Sequence, residues 1–169
     1  MGQRFIMTAA FSVLLILAVP SLAQAQQQVV MPDAEKIVLL VRNSLITLND
    51  AIQTGNFTVL RDSGAPGFRE ANTAARLSQS FADLSARRID LSAVAVMTPQ
   101  LSEQPQLDQT KGMLRLKGYF SSRPVQIDFE LLYQAVGGRW RLFGISVQPG
   151  DAPPQTSGSA PPAAVKKKN

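Results

Sequence analysis

Ile37, Val41, Leu45, Leu48 and Ile52 recur at intervals of four, four, three and four, which places them on one face of an amphipathic helix. Asp33 stands where an N-cap is wanted and Gly55 where a left-handed C-cap is wanted, so the spacing predicts a first helix over 33–54. A short second helix follows over 56–62, closed by Gly64-Ala65-Pro66-Gly67. Asn72 then caps a third helix, with Leu77, Phe81 and Leu84 as its apolar face and Arg87-Arg88 placed favourably for the helix dipole.

From Ile89 the period changes to two. Ile89, Leu91, Ala93, Ala95 and Met97 alternate with Asp90, Ser92, Val94 and Val96, predicting a first strand. The stretch 99–110, with Pro105 inside it, reads as a long turn or an irregular edge strand. Three further strands are expected over 113–121, 124–134 and 139–147, with turns at Ser122-Arg123 and Gly137-Gly138.

A two-residue turn at Ser122-Arg123 would set Arg115 opposite Glu130 and Lys117 opposite Asp128. Leu114, Leu116 and Phe120 would then meet Leu131, Phe129 and Val125 on the other face. Turning at Gly137-Gly138 sets Trp140 opposite Ala135 and Leu142 opposite Tyr133, on the apolar face, while Arg141 points away with Phe143, Ile145 and Val147. The expected fold class is α+β: N-terminal helices packed on a curved antiparallel sheet of about four strands.

The ends of the chain have another character. Arg4, the apolar run of 15 residues from Phe5 to Val19, Pro20 and Ala23-Gln24-Ala25 form an export signal over 1–25, with cleavage expected after Ala25. The run is short for a membrane span, which needs roughly 20 residues. A short leader over 26–31 follows. The expected location is periplasmic or secreted, with no stable membrane anchor after cleavage. Beyond the domain at 32–149, residues 150–169 are rich in Pro, Ala, Gly and Ser and predict a disordered tail ending in Lys166-Lys167-Lys168.

The chain has no cysteine and no histidine, which removes disulfides, thiolate chemistry, His-based catalytic triads and most zinc sites. No metal and no cofactor are expected. The sequence pI is near 10.0. Between Met31 and Pro149, however, 13 Lys and Arg face 11 Asp and Glu; the other basic residues are Arg4 and the terminal lysines. Basicity belongs to the tail, and no nucleic-acid partner is expected for the domain.

The segment Leu48-Asn49-Asp50-Ala51-Ile52-Gln53-Thr54-Gly55-Asn56-Phe57, together with Gly138-Arg139-Trp140-Arg141-Leu142, resembles the helix-to-turn segment and the last-strand opening of the nuclear transport factor 2-like superfamily. This cystatin-like α+β cone also houses ketosteroid isomerase-like and polyketide cyclase-like enzymes. The resemblance covers about residues 32–149 and implies a pocket at the open end of the cone. Enzymatic members use Asp, His, Tyr or Arg there; this chain has no histidine, and no catalytic residue is carried over.

Phe68, Phe81, Phe129, Tyr133 and Trp140 are the candidate pocket lining, although each reads first as a core residue. Asp128 and Glu130 read as cross-strand ion pairs rather than a paired-carboxylate site. Asp50 reads as solvated, and Asp90 would reach a pocket only in the opposite strand register. Phe143, Ile145 and Val147 are candidate interface residues for a homodimer through the outer sheet face. The leading expectation is an exported, non-catalytic binding or interaction domain, with an apolar small molecule as one possible ligand class. The alternative is an isomerase-, hydratase- or cyclase-like enzyme acting on such a molecule in the cone.

Overall fold

The computed structural model describes residues 29–123 and 125–150. The predicted export segment over 1–25 and the tail beyond Gly150 lie outside them. Among the described residues, five α-helices and one 3-10 turn precede an antiparallel sheet of five strands.

Helix α1 spans Ala34–Thr54. Asp33 caps it, its Oδ1 accepting from the Lys36 N–H at 2.7 Å, and Gly55 closes it at φ 69°. Ile37, Val41, Leu45, Leu48 and Ala51 are buried, and Ile52 packs half-buried beside them. The predicted helix and its apolar face are both present.

Helix α2 is Thr58–Asp62. Asn56 lies before it and makes a turn, its Oδ1 accepting from the Thr58 N–H at 3.0 Å. The expected turn at Gly64-Ala65-Pro66-Gly67 opens a further helix, α3, over Pro66–Ala71, with Pro66 in the first turn, where its missing N–H costs nothing. Asn72 closes α3, its Nδ2 donating to the Phe68 carbonyl at 2.8 Å. The next N-cap is therefore Thr73, not Asn72. The expected third helix is two short ones, α4 over Ala74–Ser80 and α5 over Ala82–Ala86. The chain bends between them at Phe81, whose ring stacks on Phe57 with centroids 6.2 Å apart. Leu77, Phe81 and Leu84 are buried, as the pattern requires.

The first predicted strand, over 89–97, is not a strand; it contains a 3-10 turn at Ser92–Ala95. Leu91 and Val94, three residues apart, are the buried pair, while Val96 is 85% exposed. Side chains of α1 take up this segment's backbone groups. Asn49, the one buried polar residue among those described other than tyrosine, accepts from the Leu91 N–H at 2.9 Å. Arg42 donates to the Met97 carbonyl from Nε at 3.1 Å and Nη2 at 2.6 Å. Asp90 is exposed and caps the turn by accepting from the Ser92 N–H.

The strands are β1 (Gln100–Leu101), β2 (Gln106–Asp108), β3 (Met113–Phe120), β4 (Gln126–Val136) and β5 (Arg139–Gly150). Both β1 and β2 pair with the same edge of β3, β4 lies on its other side, and β5 forms the far edge. The irregular edge strand expected over 99–110 thus exists in two pieces, interrupted around Pro105.

The β3–β4 hairpin is shifted by two residues from expectation. Lys117 faces Glu130, Tyr119 faces Asp128, and Phe120 faces Ile127. Ser121 to Val125 form the connection, where Ser122 Oγ donates to the Val125 carbonyl at 2.7 Å. Side chains alternate with period two, so a two-residue shift leaves every one on its predicted face.

The β4–β5 hairpin turns at Gly137 and Gly138, with φ of 57° and 74°, the paired left-handed conformation of the tight hairpin turn. Tyr133 faces Leu142 and Ala135 faces Trp140, as expected. A β-bulge then intervenes, and Leu132 faces Gly144, so Phe143 is the extra residue. Beyond it the facing is reversed. Ile145 lies opposite Leu131 and Val147 opposite Phe129, on the inner face. The outward placement expected for Ile145 and Val147 is corrected: Val147 is 6% exposed, and Ile145 packs against the core.

Candidate functional site

Helix α1 and strand β4 meet at Tyr133. Its inward position follows from the strand alternation, and burial leaves the residue 2% exposed. The phenol donates to the Leu40 carbonyl at 2.8 Å, and Ser44 Oγ lies 2.9 Å from the same oxygen. Tyr133 has one proton and gives it to Leu40, so Ser44 is the donor to Tyr133. Burial raises the phenol pKa above the ordinary tyrosine value, and the Ser44 bond offsets this in part. The hydroxyl is therefore neutral at physiological pH and fastens helix to sheet.

Beside this contact lies an open cleft of about 180 Å³ between α1, the α2–α3 connection and the start of β5. Leu40, Leu60, Trp140 and Leu142 supply apolar lining; Asn43, Ser44, Thr47, Ser63 and Arg141 supply polar groups. An apolar cavity of roughly 150 Å³ accommodates benzene, so the space suits one ring or a short branched chain.

Trp140 is half-buried against the core. It also borders a second depression of about 470 Å³ formed by Val29, Val30 and the hairpin tip. Arg141 starts on the outer face of β5 and reaches round the strand edge, with Nη1 3.5 Å from the Ser63 carbonyl. The adjacent Ala65 N–H donates to the Leu142 carbonyl at 2.8 Å, fixing the loop against the strand.

Of the five residues expected to line a pocket, Tyr133 and Trp140 border this cleft. Phe68, Phe81 and Phe129 are core residues 3–6% exposed that do not border this cleft, although Phe81 borders a separate depression of about 450 Å³ and Phe129 another of about 580 Å³. Sequence reasoning missed Asn43, Ser44 and Thr47, which flank the apolar face of α1, and placed Arg141 on the outer face of the sheet. The signal for Ser44 was its position one helical turn beyond Leu40 and next to the buried Leu45.

The outer face is polar where ions were expected. Arg115 Nε bonds Glu130 at 2.8 Å, and Arg115 Nη1 and Lys117 Nζ bond Glu103 at 3.2 and 2.9 Å. The register shift makes the Arg115–Glu130 contact diagonal and leaves Asp128 bonded to Gln126 Nε2 instead of Lys117. Bonding to Arg115 lowers the Glu130 pKa, and bonding to Lys117 lowers that of Glu103. Phe143, the remaining member of the expected apolar strip, is half-buried beside α3. A Cβ on Gly67 of α3 would stand 2.9 Å from its ring. The strip on which a sheet-face dimer was expected is thus divided between the core and α3.

Asp50 is exposed, as expected. Among the described residues no carboxylate is buried and no group of three or more potential metal ligands comes together. No described helix is long and apolar enough to cross a membrane. No protein family, curated protein or solved structure matches the chain.

Proposed function

We propose that the chain is an exported, non-catalytic small-molecule binding domain of the nuclear transport factor 2-like class, with its ligand site in the cleft between α1 and β5. Helices covering one face of an antiparallel sheet, with long last hairpins, support the cone assignment. The observation that carries the binding reading is the disposition of Tyr133. The one tyrosine facing the cleft spends its proton on Leu40 and receives one from Ser44. The surrounding lining contains no carboxylate or other group suited to moving a proton near neutral pH. What remains is a shaped, part-apolar recess with fixed polar groups, the usual form of a recognition site.

The test is an amide chemical-shift screen of the mature protein against small ring compounds, with recovery of each compound for mass and isomer analysis. Shifts confined to residues 40–47, 60–63 and 133–142, with compounds recovered unchanged, are expected. Recovery of an isomerised, hydrated or cyclised compound would overturn the non-catalytic reading.

A further inference from the structure

We infer that this cleft selects an anionic ligand, a small carboxylate with an apolar body of about one ring, through the guanidinium of Arg141. The inference rests on the binding reading above and names the chemical class that the site would take.

Charge complementarity carries it. Among the described residues, Arg141 is the only charged residue in the lining, and no Asp or Glu accompanies it. The single hydrogen bond of its side chain among the described residues is the 3.5 Å contact with the Ser63 carbonyl, beyond the usual N–H···O range. A guanidinium has five N–H donors in a planar fork that matches a carboxylate. Two other arginines, Arg115 and Arg42, are engaged more fully: Arg115 bonds two carboxylates, and Arg42 places two nitrogens on one carbonyl. Arg141 is half-buried as a residue, its guanidinium contact with Ser63 is exposed to solvent, and its donors lie beside the recess. The Asn43 amide makes no side-chain bond among the described residues and lies on the same rim, ready to donate to the same anion. Leu40, Leu60 and Trp140 supply the surface for the apolar body.

Trp140 is the only tryptophan in the chain, and it forms part of the cleft wall, so the site carries its own reporter. The test is titration of the mature full chain with benzoate, benzamide and benzylamine, followed by tryptophan fluorescence and by the amide shifts of Ser44 and Thr47. A saturable benzoate response is expected, at least about tenfold tighter than benzamide, with no response to benzylamine. Arg141→Gln should lower benzoate affinity about tenfold or more and leave benzamide unchanged. Arg139→Gln, at the hairpin tip beside the other depression, should leave both unchanged. Thermal melts of both variants establish that they fold.

Equal binding of benzoate and benzamide would overturn the anion preference while leaving the cleft as a ligand site. Equal losses in the two arginine variants would overturn the role of Arg141 by showing a general charge effect. No response to any of the three probes would overturn both the preference and the cleft. A benzoate response retained in Arg141→Gln would assign the anion to another group and overturn the inference.

Discussion

The two faces of the sheet hold their polar groups under opposite conditions. On the helix side, Tyr133 is buried with two partners in α1, Leu40 and Ser44, and Asn49 is buried with one, at Leu91. On the outer side, Arg115, Lys117, Glu103 and Glu130 share partners in water. The two sets have bonds of similar length, yet the buried set matters more to the fold, because removing a buried partner strands the other half without solvent. The outer ions can exchange one partner for water at little cost. The weight of a hydrogen bond in this fold therefore depends on what happens when it is broken.

That ranking can be broken by experiment, starting with an apolar yardstick. Leu45→Ala, at a side chain fully buried on α1, should lower unfolding free energy by about 2–5 kcal/mol in a urea titration. Asn49→Ala strands the Leu91 N–H and should cost about 1–3 kcal/mol, with amide exchange over 89–97 accelerating more than elsewhere. An exchange pattern unchanged in that segment would remove Asn49 from its assigned role.

Tyr133→Phe should cost about 1 kcal/mol near neutral pH. Its pH dependence has a definite sign. The folded-state pKa is raised, so the phenol's contribution is full below the ordinary tyrosine value near 10 and declines as pH rises above it. The stability gap between parent and variant should therefore narrow in alkaline urea titrations; a widening gap would contradict the buried, neutral phenol.

The smallest effect is expected from Arg115→Gln, with a melting temperature close to the parent's at high salt. Here the sign is opposite. The carboxyl pKa values of Glu103 and Glu130 are lowered in the fold, so their contribution is present above the ordinary carboxylate range and is lost as pH falls through the folded values. Parent and variant melting curves should converge on acidification. A large loss at neutral pH and high salt would show that the outer network is more than a solvated set of charges.

Legibility in the sequence follows the same division. The face of α1 was readable because Ile37, Val41, Leu45 and Leu48 are large and regularly spaced. The 89–97 segment misled because alanines and valines give a period of two without needing burial there. Its conformation is tied instead to Asn49 and Arg42 of α1, more than forty positions away. The β3–β4 pairing was two residues out, yet its faces were right, since the turn's length and the strand's parity are separate questions. The bulge at Phe143-Gly144 was visible in outline: Trp140 and Leu142 hold even positions, Ile145 and Val147 odd ones. Reading β5 as unbroken sent its second half to the wrong face. The cleft was the least legible feature, because Ser44, Ser63 and Arg141 come together only after three elements pack.

The two ends of the sheet bear on how the protein behaves in a crowd of its own copies. At one end, the flanking chain is cut into pieces of two and three residues around Pro105. At the other, Ala65 already occupies the Leu142 carbonyl, and Pro149 contributes no N–H. A neighbouring molecule arriving at either end meets an interrupted row of hydrogen-bonding groups and cannot extend the ladder for long. The expected outcome is resistance to fibril growth at high concentration, and Pro149→Val is the change that would most directly erode it.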